Sequence, residues 1–487
     1  MATDEPHGGE GPFDDPLTSA AAWSRRYLAT VESLPVLSRN RPGELVAALP
    51  DAPPVNPERW EDILSDLDRL VVPAMTHWNH PGFFGYFATS ASPHGAAAEL
   101  ISAVTNQNAM LWRTSPAATE LEAVATQWLG RLLGLPDRFA TIHDTASTST
   151  FCALAAARHR ADPEIVEHGL AARPPMTVYA SDQAHSSVEK AVRALGLGSR
   201  QFRPVPVDQR LRLNVAELAR LIAQDRQAGA RPIAVVATVG TTAATAVDPV
   251  PEIAELCERE GLWLHVDAAY GGAAAASPSM RWVLDGAERA DSVVVNPHKW
   301  LFVPIDCSVC FLKDPDSTAA AFSLIPDYLA TGDGTRNLMD YGIALGRRFR
   351  ALKLWVLLRS LGSQAIGETI DEHLRLARLL DARVRADERF ELIAPTVLSV
   401  VNFRFAPSNP SGANPSGANP SGAGLSSEDL DARNAAIVAA VNAGGAVFLT
   451  TARIRGVLAI HAAVGNLGTT QRHVDLLWSS ILEAAAG

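Results

Sequence analysis

Two stretches of the chain place a lysine and a carboxylate directly after apolar runs, where both groups could do chemistry. Lys299 lies in 296–300 (Asn-Pro-His-Lys-Trp), which follows the apolar run 292–295, and Asp267 follows the apolar run 262–266. An ammonium group in apolar surroundings loses hydration, which lowers its pKa and favours an amine nucleophile that forms Schiff bases. If the two runs are neighbouring strands, Lys299 and Asp267 could hold the two ends of one flat heterocycle, as pyridoxal phosphate (PLP) requires. A lone lysine at a strand end is more often a surface residue, so the prediction depends on the pair.

A run of small hydroxyl residues predicts a phosphate site. Residues 144–149 (Asp-Thr-Ala-Ser-Thr-Ser) precede an alanine-rich stretch that predicts a helix to about residue 158. The start of a helix offers free backbone N–H groups and the positive end of the helix dipole to an anion. Because Ser and Thr are common helix caps, the run indicates a phosphate site only in combination with Lys299 and Asp267.

A histidine and two threonines also follow predicted strands. His185 lies in 181–187, after the apolar run 177–180, and Thr241 and Thr242 follow the run 233–239. Ligands of open α/β sheets bind at the carboxyl ends of the strands. His185 could therefore stack on a planar cofactor, although the same position suits a solvated loop.

The order of these segments predicts an α/β fold that would position the candidate residues. Near-continuous apolar runs predict strands of a parallel sheet covered on both faces, at 177–180, 233–239, 262–266, 292–295 and 309–312. Residues 249–260 have an amphipathic helical pattern, which completes a βαβ unit. Ser115 and Pro116 have the residue types of a helix N-terminus, and Gly134 ends that helix.

The chain divides into three predicted parts. The sequence predicts a helical segment with a disordered lead-in at 1–92 and a large PLP-binding domain at 93–364. It predicts a small α+β domain at 365–487, with strands at 398–405 and 446–450. Within the last part, Asn-Pro-Ser-Gly-Ala occurs three times in 409–423. Gly, Pro and Ser at this density bury too little surface to order a chain, so 406–426 predicts a flexible loop.

Composition excludes several classes of protein. The 487 residues are 47% hydrophobic and 20% charged, as in a soluble enzyme, and the net charge of −11 argues against a nucleic-acid partner. No apolar run has membrane-spanning length, and the start lacks the pattern of a signal peptide, so a cytoplasmic location is expected. The four cysteines, Cys152, Cys257, Cys307 and Cys310, give no pattern of a disulfide framework, and core packing is predicted for the last two, which lie in an apolar strand-like run. The spacing of the last two also suits redox chemistry, but no second pair completes a zinc site, and no metal is predicted.

Six motifs follow one another in a fixed order along the chain. They are 77–81 (His-Trp-Asn-His-Pro), 115–122, 181–187, 265–270, 296–300 and 345–350. Together they resemble the motifs of PLP-dependent group II amino-acid decarboxylases of the aromatic-L-amino-acid decarboxylase type. The similarity is strong over about 60–365 and weak beyond. It implies the PLP-dependent fold type I, like that of aspartate aminotransferase, with a mixed, mainly parallel sheet, an N-terminal helical segment and a small C-terminal α+β domain.

The resemblance implies roles for individual residues. Lys299 would bind the cofactor covalently, Asp267 would pair with its ring nitrogen, and His185 would stack on its ring. His298 would lie near the substrate, and Tyr328 falls where the family has a mobile-loop tyrosine that donates a proton. Further cofactor contacts would come from Thr145, Ala146, Ser147, Thr242, Ala269 and Asn296. The substrate pocket, formed partly by a neighbouring subunit, would include Trp78, Tyr86, Phe87, Thr89, Asn108, Met110, His185 and Gly346.

The implied reaction is decarboxylation of an aromatic L-amino acid (tryptophan-, tyrosine-, phenylalanine- or DOPA-like) to its arylalkylamine, by a homodimer with shared active sites. Gly346 stands where some relatives have serine, and the smaller residue would leave room for a wide ring such as that of tryptophan. Arg113 could pair with an acidic side chain, so a substrate such as glutamate is an alternative. His461 stands where relatives often have arginine. Two alternatives are an aldehyde synthase, which the family associates with loss of Tyr328 or His185, and a non-catalytic dimeric binding protein, which would lack Lys299. All three residues are present.

Overall fold

The computed structural model describes residues 15–87, 89–324, 335–407 and 426–486. Tyr328, the lead-in 1–14 and the three Asn-Pro-Ser-Gly-Ala repeats lie outside these ranges. The described N-terminal residues form short helices: α1 (Pro16–Thr30), α2 (Glu44–Ala48) and α3 (Trp60–Asp66). None of these three helices contains a fully buried residue, so in the single chain they lie on the surface.

The large sheet has seven strands in the described part of the chain. They are β1 (Phe139–His143), β2 (Met176–Ser181), β3 (Phe202–Val205), β4 (Arg231–Thr238), β5 (Trp263–Asp267), β6 (Ser292–Val295) and β7 (Ser308–Leu312). Their order is β1-β7-β6-β5-β4-β2-β3. The pairs from β3 to β6 are parallel, and β7 is antiparallel to both β6 and β1. The sheet is therefore mixed and mainly parallel.

All five predicted strands are present, but two corrections are needed. The run 309–312 belongs to an antiparallel strand, because β7 returns beside β6 without a crossover helix. The sequence reading also missed β1 and β3, which are the two edges of the sheet. β3 contains Arg203 and Pro204, and a proline is tolerated at an edge because no further strand needs its N–H. Edge strands thus lack the continuous apolar pattern that identified the central strands.

Helices cover both faces of this sheet. They are α4 (Pro93–Thr105), α5 (Pro116–Leu133), α6 (Ala146–Ala161), α7 (Ile165–His168), α8 (Ser187–Ala194), α9 (Val215–Gln227), α10 (Val250–Glu260) and α11 (Pro315–Ala320). Successive residues of β4 face opposite cores, with Val235 in the core beneath α5 and Val236 in the core beneath α6. Ser115 precedes α5 as predicted, but its hydroxyl donates to Gln107 and does not cap the helix.

The small domain has a four-stranded antiparallel sheet. Its strands are β8 (Phe390–Leu392), β9 (Val400–Phe405), β10 (Thr450–Ile454) and β11 (Val457–Ala463), in the order β10-β11-β9-β8. The long α12 (Arg350–Ala386) leads into this domain with a kink at Gly362, and the predicted boundary at 364/365 falls inside it. α13 (Ser427–Gly444) and α14 (Gln471–Ala486) complete the domain.

The strand predicted at 446–450 is wrong for most of its length. β10 begins only at Thr450, and the Asn442 side chain satisfies both backbone groups of Leu449 instead of a neighbouring strand. Phe448 makes an isolated bridge to Phe83 of the N-terminal segment. Its apolar neighbours are buried in a connection, so apolar content alone did not indicate sheet pairing.

The four cysteines are buried and free, as expected for core packing. Within the described parts of the chain, no helix is long and apolar enough to span a bilayer.

Candidate active site

Lys299 and Asp267 lie at one edge of the large sheet, as predicted. Asp267 ends β5, and Lys299 follows the neighbouring parallel strand β6. Both side chains line a cavity of about 190 Å³ at the carboxyl ends of β4, β5 and β6. Burial lowers the pKa of Lys299, and the negative charge of Asp267 opposes that shift. The lysine amine is therefore more easily deprotonated than a surface lysine, as a nucleophile requires.

The Asp267 carboxylate is held by the turn that follows its strand. Its Oδ1 accepts a hydrogen bond from the Ala269 N–H at 3.1 Å, while its backbone carbonyl accepts from the Val239 N–H at 2.8 Å. One carboxylate oxygen is thus engaged with the backbone, and the side chain remains a wall of the cavity. A carboxylate in this position can pair with a protonated ring nitrogen.

The start of α6 also lines the small cavity. Thr145 occupies the N-cap position without a side-chain capping bond, and Ala146 and Ser147 form the first turn. All three residues line the cavity. Because the first N–H groups of a helix have no partner within the helix, they are available to an anionic group, as predicted for the phosphate.

Two buried polar atoms in this cavity have no partner among the described residues. They are the Asn296 Oδ1 and the Thr238 Oγ1, and both residues line the cavity. Leaving a buried polar atom unpaired costs about 1–3 kcal/mol, so these atoms indicate that a polar ligand completes the site. The small cavity thus combines an amine, a carboxylate, a helix N-terminus and two unpaired polar groups. These groups match the aldehyde, ring nitrogen and phosphate of PLP.

His298 is a neutral hydrogen-bond donor at this site. Its Nδ1 accepts the Cys307 N–H at 2.8 Å, which leaves the hydrogen on Nε2. Burial, followed by the charge of Lys299, lowers the pKa of His298 to about 4, so the ring is uncharged at neutral pH. The Nε2 lies 3.4 Å from the Asn296 side-chain amide, and since His298 lines both the small cavity and the larger one beside it, the ring can also face a substrate.

His185 lies on the wall shared by the two cavities. Its Nδ1 lies 2.8 Å from the Ser187 hydroxyl and accepts the Ser187 N–H at 3.2 Å. Burial on the protein side lowers the pKa of His185, and Asp267 opposes the shift. His185 is exposed in the single chain, and the stacking of its ring on a cofactor stays a prediction.

The larger cavity, of about 840 Å³, has an aromatic wall. Trp78 and Tyr86 stack with ring centroids 5.9 Å apart. Phe87 stacks on Tyr270 at 3.8 Å, and the Lys299 Nζ lies 5.2 Å from the centroid of the Phe87 ring. The two cavities therefore meet at Lys299 and Phe87, which line both.

Most of the predicted residues come together around these cavities. The small cavity is lined by Thr145, Ala146, Ser147, His185, Thr242, Asp267, Ala269, Asn296, His298 and Lys299. The large cavity adds Trp78, Tyr86 and Thr89. Thr241 is fully buried and instead accepts the Ala246 N–H in the loop after β4.

Three predicted substrate residues do not line the cavity of their own chain. Asn108 and Met110 lie after α4, where the Asn108 Oδ1 accepts the Arg347 N–H at 2.9 Å. Gly346 is exposed beside them, and a Cβ added there would meet no atom of the described residues within 4 Å. The predicted proton donor Tyr328 lies outside the described residues.

Sequence reasoning missed several residues of the site. Thr238 ends β4 beside Asp267, its partner in the sheet register, and the strand-end argument used for Asp267 could have found it. Gly240 and Tyr270 line the small cavity, and His461 lines the large one. Gly240 directly follows the predicted run 233–239 and Tyr270 ends the motif 265–270, so both positions were visible in the sequence, whereas only the packing of distant segments brings His461 to the large cavity.

Comparisons with known proteins agree with this geometry. Residues 42–406 match the family model described as the pyridoxal-dependent decarboxylase conserved domain. Tyrosine decarboxylase 4 of Petroselinum crispum is 36% identical over 472 residues, which cover 94% of this chain and 90% of that protein. Phenylacetaldehyde synthase of Arabidopsis thaliana is 35% identical, with coverage of 94% and 93%. The crystal structure of Oryza sativa TDC with PLP and tryptamine is similar with a TM-score of 0.91 and 33% identity, and covers 98% of this chain and 99% of that chain.

Proposed function

The chain belongs to the pyridoxal-dependent decarboxylase family, and we propose that it converts an aromatic L-amino acid to its arylalkylamine and CO₂. Membership of the family confirms three of the predictions made from the motifs: the fold type I, PLP as the cofactor, and PLP-dependent decarboxylation of an amino acid. The class of substrate is the part that we propose.

Different residues of the small cavity would bind different parts of the cofactor. The N-terminus of α6 would bind its phosphate, Asp267 its ring nitrogen and Lys299 its aldehyde. When bound, PLP supplies an electron sink for the pair released with CO₂. Asp267 would keep the ring nitrogen protonated, which that role requires. The Nε2–H of His298 can orient the substrate, and the aromatic wall can contact an aromatic ring.

The lining of the large cavity is the observation that supports an aromatic substrate. Its charged side chains, among the described residues, are Asp182, Lys299 and Arg453. The Arg453 guanidinium is already bound to Asp431, and Lys299 is assigned to the cofactor. Arg113 is exposed outside the cavity of its own chain. Among the described residues, an acidic side chain would therefore find no unpaired arginine there and no lysine besides Lys299, whereas an aromatic ring would meet Trp78 and Tyr86, and such contacts favour aromatic pairs.

A panel of L-amino acids tests this assignment. The purified protein, supplied with PLP, should release CO₂ and amine with the highest kcat/KM for tryptophan-, tyrosine-, phenylalanine- or DOPA-like substrates. Glutamate is the matched acidic control, and we expect its kcat/KM to be lower by at least about tenfold, or roughly 1.4 kcal/mol of transition-state binding. A kcat/KM for glutamate above that of every aromatic substrate would contradict the proposal.

We also propose a homodimer in which Asn108, Met110 and Gly346 act at the partner's cavity. The surface that carries these residues is apolar, and its exposed side chains include Leu100, Ile101, Val104, Ile343 and Leu345. An ion pair between Glu99 of α4 and Arg348 holds its two segments together. Exposed apolar patches of this kind are typical of protein interfaces, and the resemblance implies a second copy of this chain as the partner.

Oxidation to an aldehyde is the second candidate, because a phenylacetaldehyde synthase is 35% identical to the chain. The two outcomes differ in what reaches the substrate Cα after CO₂ leaves. A proton gives the amine. O₂ as oxidant gives aldehyde, ammonia and H₂O₂, with O₂ reduced to the peroxide and water supplying the aldehyde oxygen. The presence of Tyr328 favours the amine if this residue donates the proton.

Tyr328→Phe tests that role. The substitution removes the phenolic proton and keeps the bulk of the ring, so amine formation should slow and part of the product should become aldehyde and H₂O₂. The wild type should form almost only amine. Amine, aldehyde and peroxide are measured in the same reaction, with and without O₂, because the aldehyde must disappear without the oxidant.

Tyr341→Phe is the matched control. The Tyr341 hydroxyl accepts a hydrogen bond from Arg336 and lies away from both cavities, so this variant should keep the wild-type product. If Tyr328→Phe still forms amine at the wild-type rate without aldehyde, the proton comes from another group, and His298 is the next candidate.

A further inference from the structure

His461 contacts two acceptors in the wall of the large cavity. It lies on β11, opposite Asn402 of β9, and its side chain is buried. The ring Nδ1 is 3.0 Å from the Asn402 Oδ1, and the Nε2 is 2.9 Å from the backbone carbonyl oxygen of Tyr86. The ring thus joins the small-domain sheet to the N-terminal segment.

Both contacts require the histidine to donate. The Tyr86 carbonyl can only accept a hydrogen bond. The Asn402 Nδ2 donates to the Ala243 carbonyl at 2.9 Å, which fixes the amide so that its oxygen faces His461. A neutral imidazole has one N–H and can satisfy one of these acceptors, whereas the imidazolium has two N–H groups and satisfies both.

Tyr86 is held in a strained conformation by these contacts. Its φ is 52°, in the left-handed region that a non-glycine residue rarely adopts. Its N–H donates to the Thr450 Oγ1 at 3.1 Å, and its carbonyl accepts from His461. The next residue, Phe87, stacks on Tyr270 and lies beneath the Lys299 amine. The conformation of Tyr86 therefore sets the aromatic walls of both cavities.

We propose that His461 is a positioning residue, which in its doubly protonated form holds Tyr86 and Phe87 in the conformation that binds the substrate. It acts through the Tyr86 carbonyl and does not touch the reacting atoms. Loss of one proton leaves a single N–H for two acceptors, so the contacts to Asn402 and Tyr86 compete for it and the hold on Tyr86 weakens. The inference deepens the proposed function, because the walls that it concerns are those of the proposed substrate cavity.

The neighbouring elements give the ring no carboxylate partner among the described residues. β9 presents Asn402, β10 presents Thr450 and the loop after β4 presents Ala243, all of them uncharged. Arg453 of β10 is bound to Asp431 of α13. The titratable side chains that line the same cavity are Tyr86, Asp182, His185, His298, Lys299 and Arg453.

Burial lowers the pKa of His461, and the carbonyls of Tyr86 and Ala243 oppose the shift. The doubly protonated ring is therefore favoured at acid pH and is lost as the pH rises through that lowered pKa. The wild-type KM should rise over the same interval, because the substrate walls are then held by one contact fewer. A residue at position 461 that stays protonated at all these pH values would remove this part of the pH dependence of KM.

Kinetics of two variants test this role. His461→Leu removes both donors and should raise KM by about tenfold, with a smaller change in kcat. His461→Arg keeps a permanent cation with several donors and should restore a low KM. The ratio of the wild-type KM to that of the His461→Arg variant should rise as the pH is raised from about 5 towards 6.5, because burial places the pKa of His461 below the ordinary histidine value of about 6.5. His168→Gln, an exposed histidine of α7, is the control and should keep the wild-type KM and pH profile. An unchanged KM in His461→Leu, or a constant ratio, would overturn the proposal.

Nuclear magnetic resonance tests it without turnover. With the histidine and tyrosine rings labelled with ¹³C, the His461 signal is assigned by its loss in His461→Leu, and the Tyr86 signal by its loss in Tyr86→Phe. We expect the Tyr86 signal to titrate with the same pKa as His461 in the wild type and to be pH-independent in His461→Arg. A Tyr86 signal that ignores the His461 titration sinks the inference. If the amino-acid panel fails while the two signals still titrate together, the proposed substrate is wrong and the positioning role stands.

Discussion

Lys299→Ala is expected to abolish turnover and to remove the covalently attached cofactor. The lysine amine is the group at the junction of the two cavities that can attack an aldehyde, and burial already lowers its pKa. A methyl group has no nucleophile to replace it. We expect kcat to fall by about a thousandfold or more, roughly 4 kcal/mol of activation free energy. The visible absorption of the lysine-bound cofactor should disappear with it.

The chain makes this experiment unusually clear, because it has only four lysines: Lys190, Lys299, Lys313 and Lys353. Borohydride reduction followed by peptide mass spectrometry should locate the cofactor on Lys299 in the wild type and on no peptide in Lys299→Ala. Lys313→Ala, which removes an exposed lysine after β7, is the matched control and should keep both absorption and turnover. A reduced adduct at full stoichiometry in Lys299→Ala would assign the covalent linkage to another lysine.

Asp267→Asn should leave the cofactor bound and the enzyme nearly inactive. The amide has the size of the carboxylate, and its oxygen can still accept the Ala269 N–H. It carries no negative charge, so it cannot keep the ring nitrogen protonated, and the electron sink fails. We expect kcat to fall by well over tenfold, that is, by more than about 1.4 kcal/mol.

The measurement is kcat together with the amount of bound cofactor, taken on the same preparation. Asp314→Asn is the matched control, because Asp314 caps α11 away from the cavities and asparagine caps a helix equally well. A variant that keeps its cofactor and loses less than about tenfold in kcat would show that Asp267 does not hold the ring nitrogen. Loss of the cofactor itself would instead assign Asp267 a role in binding.

The sequence by itself determined the central strands and the chemistry at their ends. β4, β5 and β6 are buried on both faces, so they leave continuous apolar runs that can be identified locally. Asp267 and Lys299 follow two such runs directly, and their pairing required only that the two strands be neighbours. The start of α6 could also be identified locally, since a helix N-terminus has its own residue pattern.

Local patterns were insufficient where burial does not follow from strand pairing or helix periodicity. The edge strands β1 and β3 are less apolar than the centre of the sheet, and the apolar stretch before Thr450 is buried in a connection. In each case the residue pattern of the segment does not show whether another strand lies beside it. Pairing depends on the neighbour, which the segment does not encode.

Only the tertiary structure decided which distant residues share the cavities. Tyr86, Asn402 and His461 come from three separate segments, and their hydrogen bonds exist because the small domain packs against the N-terminal segment. Asn108 and Gly346 were predicted for the substrate pocket, yet the fold places them on an apolar surface outside the cavity of their own chain. Residue types and spacing record local periodicity, whereas contacts across hundreds of residues depend on how whole elements pack.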